Sequence, residues 1–414
     1  MKLDSVIVVG AGIVGLSTAY FLQERDVDVT VVDRVGVGAG SSWGNAGQLA
    51  PALTVPLPAP ETFAYGMGAL FNRSSAFSVP LAMNLSLVRF LLGFVRHCTP
   101  EKWRSAMAVY TELNRSSMAA FDELIGGGVE EPTVPAEPFL NAFRSVKDRD
   151  VLVKSLDAVT EAGGAADYDL VSGAEIRSLE PVLGTNVGAG LRLYGQRYLN
   201  PPRFLDALAD AVRARGGRIV SGFSVDEVRE LQGTRVQVIS DAGESLTADA
   251  VVLATGAWLG DLARNFGVRQ TVQAGRGYSF SVIPDAMPTH PIDFPAQHVA
   301  CTPLGDKFRI SGIMELRSVA AKLNPRRIAH VIEAARPLLA GIDWDSRTDE
   351  WVGSRPCTAD GLPLIGATRS PRVYVGGGHG MWGVTLGPLT GKYLAALMTQ
   401  GSAPELVRNF DPLR

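Results

Sequence analysis

Residues 6–33 read VIVVGAGIVGLSTAYFLQERDVDVTVVD, and the order of parts in this stretch decides the fold. A β-branched run, Val6 to Val9, leads into three glycines, Gly10, Gly12 and Gly15. An apolar helical segment follows. A second β-branched run, Val29 to Val32, ends on Asp33, 18 residues after the last glycine. Strand, tight turn, helix and strand closed by an acid are the context in which Gly-x-Gly-x-x-Gly binds a dinucleotide. Gly10 allows the sharp turn, Gly12 lets the backbone approach a pyrophosphate, and Gly15 lets the helix pack closely on the sheet. Ala11, Ile13 and Val14 complete the turn. The pyrophosphate is expected on the free N–H groups of the helix N-terminus, with Asp33 accepting from a ribose. The competing reading is a glycine-rich turn of some other α/β protein, and it leaves the flanking strands and the acid unexplained.

The whole chain bounds the rest. Its 414 residues suit two or three domains. A hydrophobic content of 46% with 20% charged residues describes a globular chain with a large core. The net charge of −3 gives no reason to expect a nucleic-acid partner. Cys98, Cys301 and Cys357 form no Cys-x-x-Cys pair, which argues for a reducing, cytoplasmic setting without a disulfide framework or zinc site. The scattered histidines predict no metal. The apolar start at Val6 carries no cleavage-like site and is not read as a signal peptide. No run of roughly 18 apolar residues predicts a membrane span.

After Asp33 and Arg34, the stretch VGVGAGSSWGNAGQLAP reads as a loop. It follows the ribose-binding acid, so it is expected to cross the same crevice, with Ser41, Ser42, Asn45 and Gln48 facing a polar ligand. Residues 51–104 combine a proline-broken segment with an apolar helical run over 81–97. This region reads as a lid, a membrane or partner contact, or a buried helix. Residues 132–200 form a small α+β unit, and Arg203 to Arg215 a helix. Strands at 218–220, 224–228, 235–239 and 245–246 lead to DAVVLATG (249–256), a buried strand whose Thr255–Gly256 turn returns to the cofactor. Residues 271–282 and 308–315 read as long antiparallel strands. A last strand, 373–375, enters Gly376 to Gly380, and a helix from Gly383 closes the chain. A discontinuous dinucleotide-binding domain (1–50, 200–270 and 351–414) and a substrate domain (51–199 and 271–350) follow from this order.

The chain leaves the dinucleotide unit after about 50 residues and returns twice, each time on a Gly-rich turn. A second helix N-terminus in the crevice suits the negative charge of a reduced flavin, which favours FAD over NAD. Together, GAGIVG, Asp33-Arg34, SSWGNAGQLAP, VVLATGAW, GRGYSF, RPCTADGLPLIG and GGGHGMWGVTLGPLTG resemble the FAD-dependent amine oxidoreductases of the D-amino-acid oxidase superfamily. Within it the chain resembles the bacterial D-amino-acid dehydrogenase branch (small-subunit type), over essentially its whole length.

The resemblance implies an α/β fold: a Rossmann-like FAD-binding domain plus an α+β substrate domain with a largely antiparallel sheet. It implies non-covalent FAD. Arg34, Ser41, Ser42 and Asn45, Ala46, Gly47 and Gln48 would line the cofactor, with Val225 near the adenine. Gly378, Gly380, Met381, Trp382, Gly383, Val384 and Thr385 would approach the isoalloxazine. The chain departs from the branch at Arg276, where a Lys is usual, at Ala359 in place of Pro, and across 381–385. Glycine-oxidase-like relatives carry an Arg near the position of Met381.

Oxidising an α-amino acid requires a fixed carboxylate, a Cα–H aimed at flavin N5, and a neutral amine. The protein supplies position and electrostatics. Arg355 is the expected carboxylate anchor, because a guanidinium grips a carboxylate bidentately and related enzymes place a substrate Arg in this Arg-Pro motif. Tyr278 reads either as a donor to the substrate or as core. His379 reads either as a ring contact or as a packed structural residue. The leading expectation is oxidation of a D-amino acid, with electrons passed to a quinone or dye. The alternatives are an oxygen-using glycine, sarcosine or D-proline-type oxidase, a flavin-binding subunit of a larger complex, and an NAD(P) dehydrogenase. A homo-oligomer and a peripheral contact with the inner face of a membrane through 81–97 complete the expected partners.

Overall fold

A computed structural model describes residues 3–69, 77–78, 85–232 and 235–414. Its first sheet has six strands in the order Arg218–Ser221, Asp28–Asp33, Ser5–Val9, Ala250–Leu253, Val373–Gly377 and Leu364–Ala367. All neighbours are parallel except the last pair, which is antiparallel. Side chains alternate across it, as the period of a strand requires. Val6 and Val8 pack with the helices Ile13–Gln23, Pro201–Ala214 and Gly383–Gln400, whereas Ile7 and Val9 pack under the meander Val225–Leu231, Arg235–Ser240 and Ser245–Ala248. Both faces are therefore buried, and that is why these strands read as continuous apolar runs.

The second sheet is long and largely antiparallel. Its main path runs Thr348–Cys357, Gln273–Val282, Lys307–Leu316, Val299–Leu304, Ile292–Phe294, Phe139–Phe143, Ala189–Leu193 and Tyr168–Ser172. Only the Ile292–Phe294 to Phe139–Phe143 step on this path is parallel. Gln273–Val282 is buried along almost its whole length. One of its faces meets the helix Pro325–Ala335, through Tyr278, Phe280, Ile328 and Val331. Its other face meets the loop that follows Asp33, where Ser279 Oγ donates to the Gly44 carbonyl at 2.9 Å.

Two placements differ from the expected division. Thr348–Cys357 pairs with Gln273–Val282, so residues 351–357 lie in the large sheet and not with the dinucleotide-binding strands. Its sequence, TDEWVGSRPC, has too little alternation to announce a strand. The helix Pro100–Gly126 packs through Met107, Tyr110 and Phe121 into the core of helices Ile13–Gln23 and Gly383–Gln400. The expected 81–97 helix falls partly outside the described residues. Its described part, Leu85–His97, buries Leu87 and Phe90 against Leu316 and Cys357 while Leu85, Leu92 and Val95 are exposed. No helix among the described residues is long and apolar enough to cross a membrane.

Candidate active site

The glycine turn is built as its residues require. Gly10 has φ +112°, and a Cβ there would lie 2.4 Å from the Ala254 carbonyl oxygen. Gly15 sits against the same turn: its Cβ would lie 1.8 Å from the Gly10 oxygen. Ala254–Gly256 is thus pressed onto Gly10, and the Ala254 N–H donates to Val9 at 2.8 Å. The helix Ile13–Gln23 begins at Gly12 with no side-chain cap and no acid in its first turn, so its positive end is available to an anion. Ser42 Oγ accepts from Ile13 N at 3.2 Å, which lays the following loop over the turn. Ser41 is half-buried beside it.

Asp33, the expected ribose acceptor, holds the turn. One carboxylate oxygen accepts from Ala11 N at 3.0 Å, and the other from Val35 N at 2.8 Å and Gly36 N at 3.0 Å. A carboxylate has about four lone-pair sites, so capacity remains for a hydroxyl. Phe223 N donates to the Asp33 carbonyl at 3.0 Å, which brings Val225 to the same strand end. The Arg34 guanidinium lies 3.6 Å from the centroid of Trp258, just after the Thr255–Gly256 turn. Thr255 Oγ1 is buried without a partner.

The second return joins the first. Helix Gly383–Gln400 lies parallel to Ile13–Gln23. A Cβ on Gly387 would lie 2.9 Å from Ile13, and one on Gly391 would lie 2.6 Å from the Ser17 backbone. The two N-termini therefore point the same way from one crevice. The second is uncapped too, with Trp382 at its N-cap position and no acid in its first turn. Gly378 and Gly380 take φ +76° and +56°, Met381 and Gly383 are half-buried, and Val384 and Thr385 are buried. Trp382 Nε1 donates to the Val55 carbonyl at 2.7 Å and fastens the proline-broken segment over this turn. Two uncapped N-termini, the cradle that Cβ atoms would fill and the orphaned Thr255 hydroxyl fit a long diphosphate-bridged cofactor such as FAD.

Cys357, Thr358, His379, Trp382, Leu57 and Tyr110 line a pocket at this turn. Arg355 lies on the adjoining strand. Its guanidinium rests on Gly277, and Nη1 donates to the Ile313 carbonyl at 2.8 Å. Burial pulls its pKa down, and no carboxylate partners it among the described residues. Burial pushes the neighbouring Cys357 thiol up to about 11, against the pull of Arg355, so the thiol stays protonated.

Tyr278 does not join Arg355. Residues 276 and 278 share the opposite face of the strand from Gly277. There the Tyr278 hydroxyl donates to Glu315 Oε2 at 2.8 Å, in the apolar core beneath Pro325–Ala335. Burial and the Glu315 bond push its pKa up to about 12. The reading of Tyr278 as a substrate donor is corrected: its one hydroxyl proton is committed to Glu315. Arg276 lies on the same buried face and donates Nη2 to the Lys322 carbonyl at 3.2 Å. His379 lines the pocket but is almost fully buried, and its Nε2 is bonded to Thr390 Oγ1 at 2.8 Å. Burial lowers its pKa to about 4, so it is neutral near pH 7.

The loop that follows Asp33 is laid along the face of the large sheet that carries Ser279 and Arg309. Arg309 Nη1 donates to the Trp43 carbonyl at 2.8 Å, and Asn45 Oδ1 accepts from Gly47 N at 2.8 Å. Ala46 is half-buried, and Gly47 takes φ +81° against the Leu199 carbonyl. Gln48 then reaches Asp293, its Nε2 donating to Oδ1 at 2.9 Å. Nothing in the sequence singled out Asp293. It lies in a three-residue strand with no motif around it.

Comparisons with known proteins give the family. A family model described as FAD dependent oxidoreductase (DAO) matches residues 5–397. A D-amino acid dehydrogenase of Cereibacter sphaeroides is 30% identical over 411 residues, covering 97% of this chain and 93% of the relative. One of Methylobacterium nodulans is 31% identical over 408 residues, covering 97% and 96%. Among solved structures, glycine oxidase from Geobacillus kaustophilus superimposes with a TM-score of 0.75 at 20% identity, over 100% of this chain and 99% of that one. That last likeness concerns the fold.

Proposed function

Because the chain belongs to the DAO family of FAD-dependent oxidoreductases, acting on amino acids or amines, we propose that it oxidises a D-amino acid to the imino acid and passes the electrons to an acceptor other than oxygen. The observation that carries this reading is the Arg355 guanidinium, held by Gly277 and Ile313 on the sheet face that meets the cofactor loop, without a carboxylate partner among the described residues. A substrate carboxylate supplies the missing anion, and the planar fork fixes its orientation as well as its position.

The residues that would hold FAD are the Gly10–Gly15 turn with Ser42 at the pyrophosphate, Asp33 and Arg34 at the ribose, and Thr255–Gly256 with Gly378–Thr385 along the rest of the crevice. Bound there, FAD would supply the acceptor for a hydride leaving the substrate Cα. The chain needs no base on carbon, because the lone pair of a neutral amine drives hydride departure. The nitrogen also gives up one proton, and water then hydrolyses the imino acid to the keto acid and ammonia. The Trp382–Val55 bond fastens the segment beside Leu57 at the pocket, and Leu87 and Phe90 pack against Cys357 on its wall.

The names of the curated relatives support a dehydrogenase. The exposed Leu85, Leu92 and Val95, interleaved with Arg89 and Arg96, support peripheral contact with an anionic membrane surface, where quinones reside. The test is anaerobic bleaching of the bound flavin by a panel of D-amino acids, glycine derivatives and prolines. Reoxidation by a quinone or dye without peroxide is expected. Peroxide release in air selects the oxidase reading, and bleaching by none of these amines overturns the proposal.

A further inference from the structure

We propose that Asp293, with Gln48, Asn141 and Thr302, forms a subsite on the cofactor-facing side of the large sheet that receives the cationic end of the substrate side chain, so that the preferred substrates are basic D-amino acids. This rests on the reading of the site given above.

Asp293 is half-buried, and Gln48 is its one hydrogen-bonding side chain; no Lys or Arg pairs with it among the described residues. Its second oxygen accepts no hydrogen bond among the described residues. Asn141 lies directly beside it in parallel register, fully buried, with both amide atoms unpartnered. Thr302 lies two residues beyond Ala300, which pairs with Asp293. Its hydroxyl is likewise buried and unpartnered. Residues paired across neighbouring strands share a face, as do residues two apart along one. All three side chains therefore crowd the face on which Gln48 lies. Buried polar groups are normally satisfied, so this cluster is built for a group that arrives with the ligand.

Charge decides what that group is. A half-buried carboxylate without a counter-ion among the described residues is matched by an ammonium or guanidinium. Burial pushes the Asp293 carboxyl up to about 7, and a cation in contact would bring it back down and hold it ionised.

Distance decides which end of the substrate it is. The Arg355 side chain crosses Gly277 and hydrogen-bonds Ile313 on Lys307–Leu316. From that strand to Ile292–Phe294 is two strand steps, or about 10 Å. An amino group on Cα stays beside the carboxylate and cannot reach Asp293, whereas the end of a lysine or arginine side chain can.

The test is anaerobic flavin reduction in the holoprotein, with D-arginine and D-lysine set against D-alanine, D-leucine and D-glutamate. The wild type is expected to favour the two basic substrates. Asp293→Asn is expected to weaken their reduction efficiency by about tenfold or more, with the neutral substrates changed by no more than about twofold and the flavin spectrum intact. Asn141→Leu, uncharged and similar in volume, is expected to erode the same preference. Equal loss on all substrates overturns the proposal, as does a wild type that favours neutral or acidic ones. Loss of FAD from Asp293→Asn with unchanged discrimination overturns it too, by assigning Asp293 to the cofactor. Bleaching by none of the panel is the distinguishable failure, because it removes the D-amino-acid reading itself.

Discussion

The guanidinium of Arg355 rests on Gly277, where a Cβ would lie 2.3 Å from its Cζ. The neighbour that would have to move is the end of a flexible side chain, so Gly277→Ala is expected to displace the anchor without unfolding the strand. A displacement of about 1 Å can cost about 100-fold in rate. A fall of that order in kcat/KM, with FAD retained, is the expected result in steady-state assays. Unchanged kinetics would separate Arg355 from the substrate.

Arg355→Lys tests the same contact by its chemistry. Lysine keeps the charge and loses the bidentate fork and the bond to Ile313. The expected loss is about 2–5 kcal/mol in transition-state binding, seen as a steep rise in the substrate concentration needed for flavin reduction. The flavin absorbance spectrum should stay as in the wild type.

Gly15→Ala should fail in another way. Its Cβ would lie 1.8 Å from a backbone oxygen, which cannot swing aside, whereas that of Gly12 would meet the Ser42 hydroxyl at 3.3 Å. Flavin content after purification is expected to fall sharply for Gly15→Ala and only modestly for Gly12→Ala. Equal retention by both would show that the turn is not held against the sheet as described.

His379 sets a pH window. Its pKa is lowered by burial to about 4 in the fold, against about 6.5 in the unfolded chain. Between these values the unfolded chain binds more protons, so stability falls as the pH drops from 6.5 towards 4 and is unaffected above 6.5. The loss amounts to at most about 3 kcal/mol. His379→Gln is expected to flatten this acid limb in melts recorded from pH 8 to pH 4. A limb as steep as the wild type's would assign the loss to other groups.

Local chemistry explains what was legible. The glycine spacing, the β-branched runs and the acid of Val6–Asp33 act within about 30 residues, so the turn, its strands and the uncapped helix could be read directly. The Thr255–Gly256 turn and the glycines before the last helix were legible for the same reason. The strand Thr348–Cys357 was not, because its order comes from Gln273–Val282 beside it and not from its own alternation. The faces were not legible either. Alternation along Gln273–Val282 puts Tyr278 and Gly277 on opposite sides, but it cannot say which side the cofactor loop covers.

The amino-acid order by itself led to the expectation of a dinucleotide on the Gly10–Gly15 turn, of two later glycine turns returning to it, and of Arg355 near the second. Each of these follows from backbone freedom and residue type over a short span. Only the tertiary structure decided that Arg355 leans over Gly277 towards Ile313, that Tyr278 turns away to Glu315, and that Gln48 meets Asp293 across 245 positions of sequence. Those placements depend on strand register and on which layer covers each face of the sheet, and these are settled by burial of the whole core.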